Sequence, residues 1–197
     1  MRRVRTAVLI SGEGSNLQAL IDACTEADFP AKIVLVVSNA ACVKGLERAS
    51  AAQIPSVVIP HGAYATREAF DNAIDAALSH HRVELVCLAG FMRILSETFT
   101  RQWAGRLINI HPSLLPKYKG MNTHARVLAA GEREHGVTIH WVTPELDSGA
   151  IIRQEAIPIW EGDTPTLLKT RIQVLEHILY PEVLKTVAQE MLTGTAG

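Results

Sequence analysis

Apolar runs alternating with helical stripes constrain this chain more than any other feature. "KIVLVVS" (Lys32–Ser38) is a continuous β-branched run. A strand with one wet face alternates apolar and polar residues, so a run like this one has to be covered on both faces. "TAVLIS" (Thr6–Ser11), "LVCLAG" (Leu85–Gly90) and "RLINIH" (Arg106–His111) read as strands too, and "PSVVIP" (Pro55–Pro60) as a short one. Helices fill the gaps. Asn16–Glu26 carries Leu17, Leu20, Ile21 and Cys24 at helical spacing. Val43–Gln53 and Ser96–Trp103 also read as helices. Thr66–His80 has Thr66 as N-cap and Phe70, Ile74, Ala77 and Leu78 on one stripe. Thr123–Ala130 is closed by Gly131.

The pattern then changes. "GVTIHWVT" (Gly136–Thr143) and "AIIRQEAIPI" (Ala150–Ile159) are strands with no helix between them, which predicts an antiparallel or edge pair. A last helix is capped by Asp163 or Thr164, has Pro165 near its first position, and should kink or break at Pro181. No linker or repeat interrupts the series. The expected fold is α/β in a single domain over residues 1–197. It is a Rossmann-like three-layer sandwich with a mostly parallel central sheet and an antiparallel strand near the C-terminus.

Composition excludes several functions. Nineteen Lys and Arg against twenty Asp and Glu leave a net charge of -1, so no electrostatic footprint for nucleic acid or a membrane surface is present. No stretch approaches the roughly 18 apolar residues of a spanning helix. The apolar run after the basic N-terminus, Ala7–Ile10, is too short for a signal peptide. Cys24, Cys42 and Cys87 are widely spaced and form no CxxC pair, which suits a reducing cytoplasm. His61, His80, His81, His124, His135, His140 and His177 show no metal-ligand spacing and read mostly as surface or satisfied core residues; no metal is expected.

In a parallel sheet of this kind, ligands bind at the carboxyl ends of the strands. "SGEGSN" (Ser11–Asn16) follows the first strand and opens the first helix. Free N–H groups and the helix dipole there suit an anion. The loop lacks the P-loop lysine and the third glycine of a dinucleotide fingerprint, so a single phosphate monoester fits it best. "GFMRIL" (Gly90–Leu95) is too apolar for a solvent loop; it either packs the core or walls a flat apolar ligand. In "NIHPS", Asn109 and His111 lie two apart and so share a strand face, and Pro112 ends the ladder just beyond them. An amide and an imidazolium side by side can hold a developing oxyanion. Asp147, in "TPELDSG", is either a turn residue or the carboxylate that favours the imidazolium form of His111.

Together, "LISGEGSNLQALIDAC", "VSNAACVKGLERA", "LAGFMRILS", the stretch from "RLINIHPSLLPKYKG" to "TPELDSGAII", and "QVLEHILYP" resemble the phosphoribosylglycinamide formyltransferase family of purine biosynthesis, from about Ala7 to Pro181. The resemblance implies formyl transfer from 10-formyltetrahydrofolate to the amine of 5-phosphoribosylglycinamide in de novo purine (IMP) synthesis. It implies that Asn109, His111 and Asp147 are catalytic, and that Gly14, Ser15, Asn16, Gln173 and Glu176 hold the ribonucleotide. Arg67, Met92, Arg93, Ile94, Leu95, Asn109, Val142 and Thr143 fall on the folate side. Residues to about 105 would form the phosphate-binding part, and residues from about 106 to 197 the catalytic and folate-binding part. The implied partners are small molecules only, with no nucleic acid and no membrane, in a monomer or homodimer.

Asn122 and Ser148 depart from the residues common at these positions. Methionyl-tRNA formyltransferase and formyltetrahydrofolate hydrolase share the chemistry. They rank lower, because the first adds an RNA-binding domain and the second an N-terminal regulatory domain. A non-catalytic nucleotide-binding module has no use for Asn109, His111 and Asp147.

Overall fold

The computed structural model describes residues 2–194. Seven strands form one sheet: β1 (Val4–Ile10), β2 (Ala31–Ser38), β3 (Ser56–Val58), β4 (Leu85–Leu88), β5 (Leu107–His111), β6 (Glu134–Trp141) and β7 (Ile151–Pro158). Their order across the sheet is β3-β2-β1-β4-β5-β6-β7. β1 to β5 run parallel, while β6 is antiparallel to both β5 and β7. The expected edge pair is therefore present. The order reverses at β1, whose neighbours are β2 on one side and β4 on the other, so the loops after β1 and β4 diverge and open a crevice.

Helices cover both faces. α1 (Ser15–Cys24), α2 (Lys44–Ala51) and α6 (Pro165–Thr193) pack one core with Val8, Ile10, Cys87, Ile108 and Ile110. α3 (Arg67–His80) and α4 (Glu97–Gln102) pack the other with Ala7, Leu9, Val86, Leu88 and Leu107. The strands alternate between the two, so the sheet separates two cores of a three-layer sandwich. α5 (Thr123–Ala129) sits between β5 and β6. Thr66 and Thr164 accept from the amides three residues on and cap α3 and α6. Asp163, the other candidate cap, instead accepts from Trp160 N and pairs with Arg171.

The expected break at Pro181 does not occur: α6 runs through it to Thr193. Proline deletes one backbone bond, but Leu179, Tyr180, Val183, Leu184 and Val187 are all buried around it. That apolar face holds the helix on the sheet across the missing bond. Tyr180 adds a tie, its hydroxyl lying 2.9 Å from the Leu88 carbonyl and 3.3 Å from that of Ile108.

Candidate active site

A cavity of about 870 Å³ opens over the carboxyl ends of β1, β4 and β5. Every residue assigned to a site from the sequence lines it: Gly14, Ser15 and Asn16; Arg67; Met92, Arg93, Ile94 and Leu95; Asn109 and His111; Val142, Thr143 and Asp147; Gln173 and Glu176.

β5 places the central pair. Leu107 faces the α3–α4 core while Ile108 and Ile110 face the other, so alternation puts Asn109 and His111 on the Leu107 side. His111 is buried. Its Nε2 lies 3.0 Å from the Tyr118 carbonyl, and its Nδ1 lies 3.5 Å from Asp147 Oδ2. Both ring nitrogens face acceptors. Asp147 is buried as well, with φ 47°, and its Oδ2 also accepts from Gly120 N at 2.9 Å. Two loops thus meet on one carboxylate. Lys119 strengthens the junction, reaching Ser148 Oγ and, at 3.4 Å, Glu145. The close return of the chain needs Gly149, where a Cβ would fall 1.7 Å from the Trp141 carbonyl oxygen.

His140 is buried with both ring nitrogens partnered, as a satisfied core histidine would be, but it also belongs to the site. It pairs with Asn109 across the β5–β6 ladder and lines the cavity. Its Nδ1 donates to the Trp141 carbonyl at 2.9 Å, which leaves Nε2 to accept from Asn109 Nδ2 at 3.3 Å. Burial lowers the pKa of His140 and keeps the ring neutral, in keeping with that role. Asn109 is thereby oriented, with its second N–H free for a ligand. His124 also lines the cavity, and its Nδ1 lies 2.9 Å from Nε2 of buried His135. No sequence motif marks these histidines, because their partners are supplied by the antiparallel register and the first turn of α5. Asn122 occupies a left-handed position (φ 57°) at the start of α5, which asparagine tolerates better than most residues.

At the β1 tip, Gly14 is left-handed (φ 70°), and no side chain caps α1. The first-turn amides are open to an anion. A Cβ on Gly14 would meet Gly45 Cα at 2.7 Å, so the turn is closed to larger residues. Asn16 Nδ2 donates to Glu176 Oε2 at 2.9 Å, while Asn16 Oδ1 is buried without a partner. Glu176 is buried, and desolvation raises its pKa.

The Gly90–Leu95 loop packs partly into the core and partly lines the cavity. Phe91 stacks on Phe70 of α3 at 6.4 Å, and Leu95 is buried. Met92 and Ile94 stay 61% and 52% exposed along the cavity. The loop is pinned at both ends. Met92 N donates to Ser11 Oγ at 2.8 Å, and Ser96 N donates to Asp71 at 2.6 Å. Ser11 in turn donates to Asn39 Oδ1 at 2.5 Å. Among the described residues, no group of three or more His, Cys, Asp or Glu could hold a metal ion, and no helix is long and apolar enough to cross a membrane.

Comparison with known proteins agrees with this geometry. The formyl transferase family model matches residues 4–184. The chain is 47% identical to the phosphoribosylglycinamide formyltransferase of Haemophilus influenzae, covering 92% of this chain and 85% of the relative. It is 55% identical to the trifunctional purine biosynthetic protein adenosine-3 of Chironomus tentans; that match takes in 93% of this chain but spans only 14% of the relative's length. The solved phosphoribosylglycinamide formyltransferase of Coxiella burnetii superposes with a TM-score of 0.91 at 49% identity, covering 95% of this chain and 88% of that one. With the family match over nearly its whole length and near-half identity to full-length relatives, the chain belongs to the formyl transferase family, among the phosphoribosylglycinamide formyltransferases.

Proposed function

We propose that this chain transfers the formyl group of 10-formyltetrahydrofolate to the amine of 5-phosphoribosylglycinamide, giving 5-phosphoribosyl-N-formylglycinamide and tetrahydrofolate in purine biosynthesis. The observation that carries the reading is the Asn109–His111–Asp147 set at a strand tip, with His111 and Asp147 buried, between an anion-compatible turn and an apolar wall.

The amine attacks the formyl carbon, and a tetrahedral oxyanion forms. Asn109, oriented by His140, donates its free N–H to that oxygen, and protonated His111 is the second donor. The C–N10 bond then breaks. The amine loses one proton and N10 gains one, while Asp147 holds His111 protonated and helps relay the proton. Gly14, Ser15 and Asn16 take the phosphate. The orphan Asn16 Oδ1, with Gln173 and Glu176, accepts the ribose hydroxyls. Met92, Ile94, Leu95 and Val142 flank the pterin, Thr143 and loop amides read its edge, and Arg67 and Arg93 meet the glutamyl carboxylates. In this scheme residues to about 105 hold the phosphate, while residues from about 106 to 197 supply the chemistry and most remaining contacts. Three free thiols fit a cytoplasmic setting.

The test is direct. The protein is mixed with the ribonucleotide and a 10-formyl folate, and the deformylated folate is followed by absorbance. Turnover that requires both substrates is expected. Absence of turnover together with absence of binding of either ligand would overturn the reading.

A further inference from the structure

We infer that Lys169 is a phosphate-binding residue, the cation that holds the anionic end of the ribonucleotide against the β1 turn. The inference deepens the function proposed above and rests on it.

α6 presents Lys169, Ile172, Gln173 and Glu176 to the cavity. Their spacing of three, one and three residues puts them on a single helix face. Across the cavity stands the Gly12–Asn16 turn, tied to that face by the Asn16–Glu176 bond. Lys169 therefore lies on the ribonucleotide side, two turns before Glu176.

The charge balance of the cavity calls for it. A phosphate monoester carries nearly two negative charges. The end of α1 offers only about half a positive charge, and buried Glu176 stands beside it. A dianion held by the turn alone would lack a full counter-charge. Three Lys and Arg side chains line the cavity: Arg67, Arg93 and Lys169. Arg67 and Arg93 belong to α3 and the apolar loop, on the folate side. Lys169 remains for the other ligand.

Its side chain is exposed and uncommitted. Lys44, Lys117 and Lys119 are each paired with a carboxylate, whereas Lys169 has no hydrogen bond or ion pair among the described residues. Its field nonetheless reaches into the site: it offsets part of the rise that burial imposes on the Glu176 pKa, and it adds to the lowering that burial imposes on His124. A flexible stem with a compact ammonium suits a phosphate that arrives and leaves each cycle.

The experiment compares wild type with Lys169→Ala, Lys169→Arg and Lys169→Glu. Wild-type turnover with both substrates tests the proposed function by itself. In the variants, Lys169→Ala should raise the ribonucleotide KM about tenfold, the size of one hydrogen bond to a charged group. Its kcat and folate KM should stay within about twofold of wild type. Lys169→Glu should raise the ribonucleotide KM further, Lys169→Arg should recover most of the loss, and KM should depend less on ionic strength in Lys169→Ala. Calorimetry with ribose 5-phosphate reads the same contact without turnover. An unchanged ribonucleotide KM, a loss shared equally by the folate, or equal binding of ribose 5-phosphate by wild type and Lys169→Ala would each overturn the assignment.

Discussion

Replacing Asp147 by Asn separates the charge of this carboxylate from its shape. Asn tolerates the left-handed backbone at position 147, and its amide oxygen can still accept from Gly120 N. What disappears is one unit of charge 3.5 Å from His111 Nδ1. At an effective dielectric of about 20, two unit charges at that distance attract by about 5 kcal/mol. The replacement amide dipole recovers part of this, which leaves about 3 to 4 kcal/mol, or roughly two to three decades in turnover. Asp147 touches neither the Gly14 turn nor Glu176 by a hydrogen bond, so the ribonucleotide KM should move by no more than about threefold. Steady-state absorbance with each substrate varied in turn separates the two effects. A kcat loss below about tenfold, or an equal loss in ribonucleotide affinity, would refute the assignment of Asp147 to the reacting end.

Three further outcomes are expected. Gly14→Val forces a side chain onto Gly45 at a left-handed position, so ribonucleotide KM should rise at least about tenfold with folate KM preserved; Gly14→Ala serves if the valine variant unfolds, and unchanged ribonucleotide affinity in either would remove the phosphate from this turn. Tyr180→Phe deletes the tie to Leu88 and Ile108 and should cost about 1 to 2 kcal/mol of stability, read from urea midpoints. Burial and neighbouring His124 push the His135 pKa down to about 4 from 6.5. Between those values the unfolded chain binds the extra proton, so its contribution is fully present above pH 6.5 and is lost as the pH falls toward 4. Melting curves across that window should show the drop, and His135→Gln should flatten it; an unaltered slope would count against this linkage.

The sheet is legible in the sequence wherever burial on both faces leaves an unbroken apolar run, as at residues 7–10 of β1, 33–37 of β2 and throughout β4. The β6–β7 pair is legible from the missing helix between them. The helix does not break at Pro181 because a backbone rule is local, while the apolar face that holds the helix together is assembled by the sheet. At the site, the strand-tip rule points to loops that line the cavity, and the family resemblance assigns residues within them. Asp147 is assigned through the resemblance alone, because it comes near His111 only when two loops close on each other. Two features escape both. His140 reaches Asn109 through antiparallel register, which spacing along one chain does not encode. Lys169 looks like any solvated lysine until α6 is laid across the β1 turn.

The Ser11 hydroxyl has a consequence beyond local packing. It begins the turn that the proposed function gives to the ribonucleotide, and it receives an amide of the loop given to the folate. On that reading the two half-sites are not separable modules. An inhibitor that spans both halves would meet two walls already joined through one hydroxyl.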